Sequence, residues 1–121
     1  MNSIQHFFLS DQVYEGQEYL NRFAKLVRMT LNNADKSFVS LAEELELIEH
    51  YVALEQMRRQ NDFDYLLELD SSIAAEQVLI PSMLMQPFVE NAIWHGLAEA
   101  ERGKIRVVIK RDQNDLRLLI E

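Results

Sequence analysis

The sequence predicts an α+β chain, with helices over about the first 60 residues and then a strand, a helix and a β-hairpin. Three observations carry that reading. Apolar residues recur at three- and four-residue steps from Val13 to Met57, the period of amphipathic helices. From Phe63 to Leu69 the period drops to two, as in a strand with one wet face. After an apolar helical run over 80–96, alternation returns at 104–110 and 116–120 around a polar turn.

Composition sets the outer bounds. A length of 121 residues suits one ordinary domain or two small pieces sharing an interface. An apolar fraction of 48%, with three Gly and two Pro, supports a real core and argues against disorder. A net charge of −8 without a basic block speaks against binding nucleic acid or anionic membrane. The absence of cysteine excludes disulfides and thiolate chemistry. No run approaches the roughly 20 apolar residues that span a bilayer, and nothing near Met1 reads as a signal peptide. The expectation is a cytoplasmic portion, alone or as the soluble part of a longer membrane protein.

Residues 2–10 start with Ile4, Phe7 and Phe8 already at helical spacing, as in a segment cut from something longer. Ser10-Asp11 offers a cap to the next helix. That helix is amphipathic through Val13, Tyr14, Leu20, Phe23, Ala24, Val27 and Leu31 to about Asn32, with Gly16 its weak point. Asn32 to Lys36 reads as a turn and Ser37 to Val39 as an extended link. Ser40-Leu41-Ala42-Glu43 matches the capping box and opens a helix to about Gln60. Leu41, Leu45, Ile48, Val52 and Leu54 form its stripe, widened by Leu47, Tyr51 and Met57. Such broad apolar faces predict a bundle, and a homodimer through helices 11–60 that buries what one chain leaves open.

Beyond the strand at 63–69, residues 71–77 form a polar connection and Val78 to Ile80 a short extended piece. Pro81-Ser82 reads as the next helix start and Gly96 as its end. Pro87 inside that run predicts an irregular or kinked first turn. The hairpin at 104–120 closes the chain with no stop signal after Ile120.

The helix at 80–96 carries four polar side chains in an apolar run: Gln86, Glu90, Asn91 and His95. Positions 86, 90 and 94 share one helical face, and 91 and 95 an adjacent one. Polar groups are costly to bury alone, so these call for protein partners, a metal or a ligand. Glu90 and Asn91 are the oxygen donors that Mg²⁺ takes together with phosphate, although spacing alone favours a structural Asn. His95 gains interest only through its i+4 relation to Asn91. His50, after Glu46 and Glu49, has a metal-ligating spacing, but a solvated acidic face is the plainer reading. Glu55 and Arg58 read first as an exposed i,i+3 pair worth about a few tenths of a kcal/mol, and second as a positioned pair at a domain boundary. His6, beside Phe7-Phe8, reads as a helix-flank histidine before a phosphoacceptor. No Ser/His/Asp or Cys/His arrangement, GxGxxG or P-loop is present.

The string from Ile80-Pro81 through Met85-Gln86-Pro87-Phe88-Val89-Glu90-Asn91-Ala92-Ile93-Trp94-His95-Gly96 resembles the N-box of LytS-like bacterial sensor histidine kinases, approximately iPplllQPlvENAikHG. Leu41, Glu44-Leu45, Tyr51-Val52, Glu55 and Arg58 fall as in that family's L..El…Yl..E..R pattern. Leu26-Val27-Arg28 with Leu31 is similar to its LlRysL segment, and Asn2-Ser3-Ile4 to the residues just after its phosphoacceptor motif PHFLFN. The resemblance implies a protein-histidine kinase that uses ATP and Mg²⁺, phosphorylates itself and then a response regulator. It implies residues 1–62 as a helical dimerisation and phosphotransfer region lacking the phosphoacceptor. Residues 63–121 become the first half of an ATP-binding α/β sandwich. Carried over by position, Asn91 holds Mg²⁺ and nucleotide, Glu90 lines the site in the catalytic role, and His95 lies near the phosphates or lid. The identity of any base stays open because Gln86 is adjacent.

Departures qualify the resemblance. His6 imitates HFLFN, but its spacing to Leu26-Val27-Arg28 is too short. The sequence stops where the family continues into an adenine-binding DNG motif and a glycine-rich lid. Trp94 stands where the family commonly has Lys, and Pro87 lies four before the Asn, as is usual in the family. The expectation is therefore a membrane sensor kinase's cytoplasmic part, inactive as an autokinase by itself. The competing reading is a non-catalytic helical interaction module with a degenerate ATPase-like domain.

Overall fold

The computed structural model describes residues 12–96 and 103–120. The expected helix over 2–10, the cap at Ser10-Asp11 and His6 lie outside them. Helix α1 (Gln12–Ala34) leads through a turn and strand β1 (Phe38–Ser40) into helix α2 (Leu41–Arg58). Strand β2 (Phe63–Leu69) and strand β3 (Leu79–Pro81) follow, then helix α3 (Gln86–Asn91), which runs on as a π turn over Ala92–Gly96. Strands β4 (Gly103–Asp112) and β5 (Asp115–Ile120) form the hairpin.

α1 packs along α2, but through a different face from the one its apolar period suggests. The expected stripe points outward, with Leu20 at 63%, Phe23 at 51%, Val27 at 40% and Leu31 at 65% exposure. Gly16 and Asn33 are buried instead, with Tyr19 and Leu26 half-buried. α1 also extends over Asn32 to Ala34, where a turn was expected. Asn33 explains this, because its backbone carbonyl accepts hydrogen bonds from the Lys36 amide at 3.1 Å and the Ser82 hydroxyl at 3.0 Å.

The Ser40 half of the capping box at α2 forms, its Oγ accepting from the Glu43 amide at 3.0 Å, while the Glu43 carboxylate lies 3.7 Å from Lys36 Nζ. Leu41, Leu45, Ile48 and Val52 face the core. Leu54 does not share that stripe; with Leu47 it is buried outside the core cluster. α2 stops at Arg58 because Gln60 and Asn61 adopt left-handed φ values of 57° and 60°. The Asn61 amide then donates back to the Gln56 carbonyl at 2.8 Å.

β2 pairs in parallel with β4, which pairs antiparallel with β5. A parallel pair requires a crossover, and this one carries α3 onto the sheet. Met85, Val89 and Ile93 pack against Ile105, Val107, Ile109, Phe63 and the α2 stripe in one core. That core runs across residue 62 without a break. Coverage fades along the sheet: Phe63 is buried, whereas Leu67 and Leu69 are 37% and 36% exposed. The two segments read as extended links pair with each other, β1 antiparallel to β3, and bury Val39 opposite Ile80.

The entry to α3 departs most from the sequence reading. Pro81 ends β3 and does not start the helix, which begins at Gln86. Pro87 lies in its first turn, where its missing N–H costs no hydrogen bond. Residues 82–85 form a tight turn with Met83 at φ 62°, a left-handed conformation costing about 1–2 kcal/mol. Three contacts over-determine it. The Ser82 amide donates to the Ser37 carbonyl at 3.1 Å, its hydroxyl to Asn33, and the Met85 amide to Glu44 Oε2 at 2.9 Å. Glu44 is fully buried, so a carboxylate on α2 caps a helix 41 residues away.

Glu44→Ala leaves the Met85 amide buried without its acceptor, and urea unfolding should show a loss of about 2–3 kcal/mol. Glu44→Gln keeps an acceptor oxygen and should cost less than about 1 kcal/mol; equal losses would assign the effect to charge. A second prediction concerns Tyr65. Burial first, and the Glu49 charge second, push its hydroxyl up to about 12, and no described residue bonds it. The unfolded tyrosine ionises near its ordinary 10, so this contribution is complete below about pH 10 and is lost as pH rises toward 12. Tyr65→Phe should be neutral or stabilising by up to about 1 kcal/mol at pH 7, and should flatten the alkaline fall in unfolding free energy.

Candidate functional site

α3 and its π turn present two unlike faces. Val89 and Ile93 are fully buried and Gln86 nearly so, anchoring the helix to the core. Asn91, Trp94 and His95 are exposed, and Glu90 lies between at half burial. The π turn over Ala92–Gly96 inserts a residue's worth of helix just after Asn91. Such turns re-aim side chains and are frequent at functional sites.

Glu90 is held in place. Its Oε1 accepts from Gln86 Nε2 at 3.1 Å, one turn earlier on the same face. The Gln86 carbonyl oxygen is buried and has no partner among the described residues. Asn91 and His95 project from the adjacent face, and no hydrogen bond joins either of them to Glu90 among the described residues. The three expected site residues thus lie on neighbouring faces of one helix, Asn91 and His95 exposed and Glu90 half-buried.

Trp94 ties this helix to α2. Its indole Nε1 donates to the Tyr51 hydroxyl at 3.0 Å, and the Arg58 guanidinium lies 4.6 Å from its ring centroid. Arg58 donates through Nη2 at 2.7 Å and Nε at 3.3 Å to Glu55 Oε2. Burial is the largest influence on Tyr51 and raises its pKa, the Trp94 hydrogen bond opposes this, and Glu55 and Glu90 raise it further. Tyr51, Glu55, Arg58, Glu90 and Trp94 therefore share one electrostatic neighbourhood. The expectation of a solvated Glu55–Arg58 pair is overturned: the Glu55 side chain is only 10% exposed, and its partner stacks on another helix.

Sequence reasoning missed this cluster because its members are 43 residues apart along the chain. The signal lay in Trp94 sharing a face with Gln86 and Glu90. His50 is also misread as belonging to a solvated face. Its side chain is only 15% exposed, with Nε2 3.8 Å from Glu46 and Nδ1 buried without a partner among the described residues. No group of three or more His, Asp or Glu placed to hold a metal occurs among the described residues. No described helix is long and apolar enough to cross a membrane.

The family profile described as Histidine kinase matches residues 1–63. Over 99% of this chain and 22% of the relative's length, the sequence is 35% identical to an uncharacterised sensor-like histidine kinase of Staphylococcus epidermidis. It is 33% identical to the sensor protein LytS of Staphylococcus haemolyticus, over 88% of this chain and 18% of that protein. It is 30% identical to the sensor histidine kinase BtsS of Escherichia coli, over 93% of this chain and 19% of that protein. The chain thus spans about a fifth of the length of these relatives. With a profile covering its first half and relatives aligned through the Glu90-Asn91 helix, the chain belongs to the LytS-type histidine kinase family.

Proposed function

We propose that the chain is the part of a two-component sensor kinase that joins its dimerisation helices to its Mg-ATP site. The whole protein is a membrane sensor that transfers a phosphoryl group from ATP to its own histidine and then to a response regulator, and this chain lies in its cytoplasmic portion. The observation that carries this reading is Asn91, exposed on a helix whose opposite face is locked into the core. Residues 1–62 contribute the helical region and residues 63–121 the first half of the nucleotide-binding unit.

The donor set suits the metal. Asn91 offers a carboxamide oxygen to solvent, and Glu90 keeps one carboxylate oxygen clear of its Gln86 bond. Mg²⁺ takes few protein oxygens and retains water, so one amide with a nearby carboxylate is a fitting cradle. When bound, the metal neutralises charge on the phosphate chain. The protein's own work is positional: Glu44 sets the helix start, Gln86 aims Glu90, and the core holds Asn91 toward solvent. In this reading His95, exposed one turn beyond Asn91, donates to a phosphate oxygen.

Partnering through the helices follows from α1. A stripe of Leu20, Phe23, Val27 and Leu31 at helical spacing, each at least 40% exposed, fits a second copy presenting the same stripe. The same stripe also supports the interaction-module alternative, and nucleotide binding separates the two.

Isothermal titration with Mg-ATP should show weak binding that Asn91→Ala reduces about tenfold or more, a loss of ~1.4 kcal/mol. The variant's melting temperature should not move, because Asn91 is exposed. Absence of any Mg-ATP binding would favour the interaction module. Light scattering should report a dimer that Phe23→Asp or Leu31→Asp converts to monomer; a monomeric wild type would sink the dimer.

A further inference from the structure

Residues 80–96 contain no Lys or Arg, yet their exposed face is the one assigned to a polyphosphate. A bound metal neutralises only part of that ligand's charge, and phosphoryl sites combine it with cationic side chains. The helix borrows a cation from α2. Arg58 lies over Trp94, three residues past Asn91, at 4.6 Å from the ring centroid. Its side chain is 43% exposed. The Glu55 bonds engage Nε and Nη2, and a guanidinium has further N–H donors beyond these. Burial of Glu55 keeps the pair seated, and the Arg58 side chain stays partly open to solvent over Trp94, on the helix that also carries Glu90 and Asn91.

We propose that Arg58 binds the phosphate chain of the nucleotide, as a cation carried by α2 and held over Trp94. This rests on the Mg-nucleotide reading of Asn91. In this arrangement Trp94 is the platform that orients the guanidinium, and Glu55 is the counter-ion with which a phosphate oxygen competes. Nucleotide binding then depends on how α2 sits against α3, which ties the helical region to the site without a separate linker.

Trp94 is the chain's single tryptophan, so its emission reports directly on the ring that carries Arg58. The 121-residue chain is titrated with inorganic triphosphate, with and without Mg²⁺, and with adenosine as a control, following Trp94 fluorescence and calorimetric heat. Triphosphate should change the emission and adenosine should not. Arg58→Gln should weaken triphosphate binding about tenfold whether or not Mg²⁺ is present, with Arg58→Lys partly restoring it. The loss in Asn91→Ala should require Mg²⁺. Glu55→Gln is the discriminating variant: removing the competing carboxylate should tighten triphosphate binding several-fold. A pair that only staples α2 to α3 would instead lose binding equally in Glu55→Gln and Arg58→Gln, and that result overturns the proposal. Unchanged affinity in Arg58→Gln also overturns it while leaving the Asn91 site standing. A wild type with neither an emission change nor heat removes both readings. If Arg58→Gln fails to fold by circular dichroism, the Lys and Glu55 variants decide the question.

Discussion

A single buried carboxylate sets the geometry on which the candidate site depends. Glu44 comes from the first turn and a half of α2 and accepts the Met85 amide at 2.9 Å, where α3 begins. An unfilled helix N-terminus in a dry interior is costly, and a carboxylate there gains both a charge-assisted hydrogen bond and the helix dipole. The contact also closes the turn in which Met83 takes its left-handed conformation. Moving α2 therefore moves the start of α3, and with it the Gln86–Glu90 hydrogen bond one turn later.

At the other end of the same helix, Trp94 meets Tyr51 and Arg58. α3 is thus held to α2 near both ends, with Val89 and Ile93 buried in the middle. The consequence is mechanical: the helix bearing Asn91 and the helix presented to α1 behave as one packed unit. α1, by contrast, buries only a narrow side against α2 and leaves its leucine and phenylalanine stripe in solvent. The helical region and the helix bearing Asn91 are therefore in direct contact rather than joined through a separate linker.

Much of the local structure was legible in the chain. Ser40 caps α2 where expected, β2 occupies Phe63–Leu69, and the hairpin turn falls at Gln113-Asn114. The N-box string identified the family from its residue order. The packing direction of α1 was less legible, because periodicity marks an apolar stripe without saying which partner covers it. The helix start at Gln86 was also obscured, since Pro81 and Pro87 both satisfy the rule for a helix N-terminus. Only β3 pairing with β1 decides that Pro81 belongs to a strand.

The sequence by itself determined the element types, the α+β class and the identity of the side chains on the 80–96 helix. It could do so because hydrophobic period, capping and turn chemistry are local properties of neighbouring residues. The tertiary structure decided what no local pattern contains: the parallel pairing of β2 with β4, Glu44 at the start of α3, and Arg58 over Trp94. Each joins groups about 40 residues apart, where burial and hydrogen-bond satisfaction choose the partner. The helix that carries Asn91 can be read from its own residues, but its orientation and the guanidinium stacked on its Trp94 come from α2.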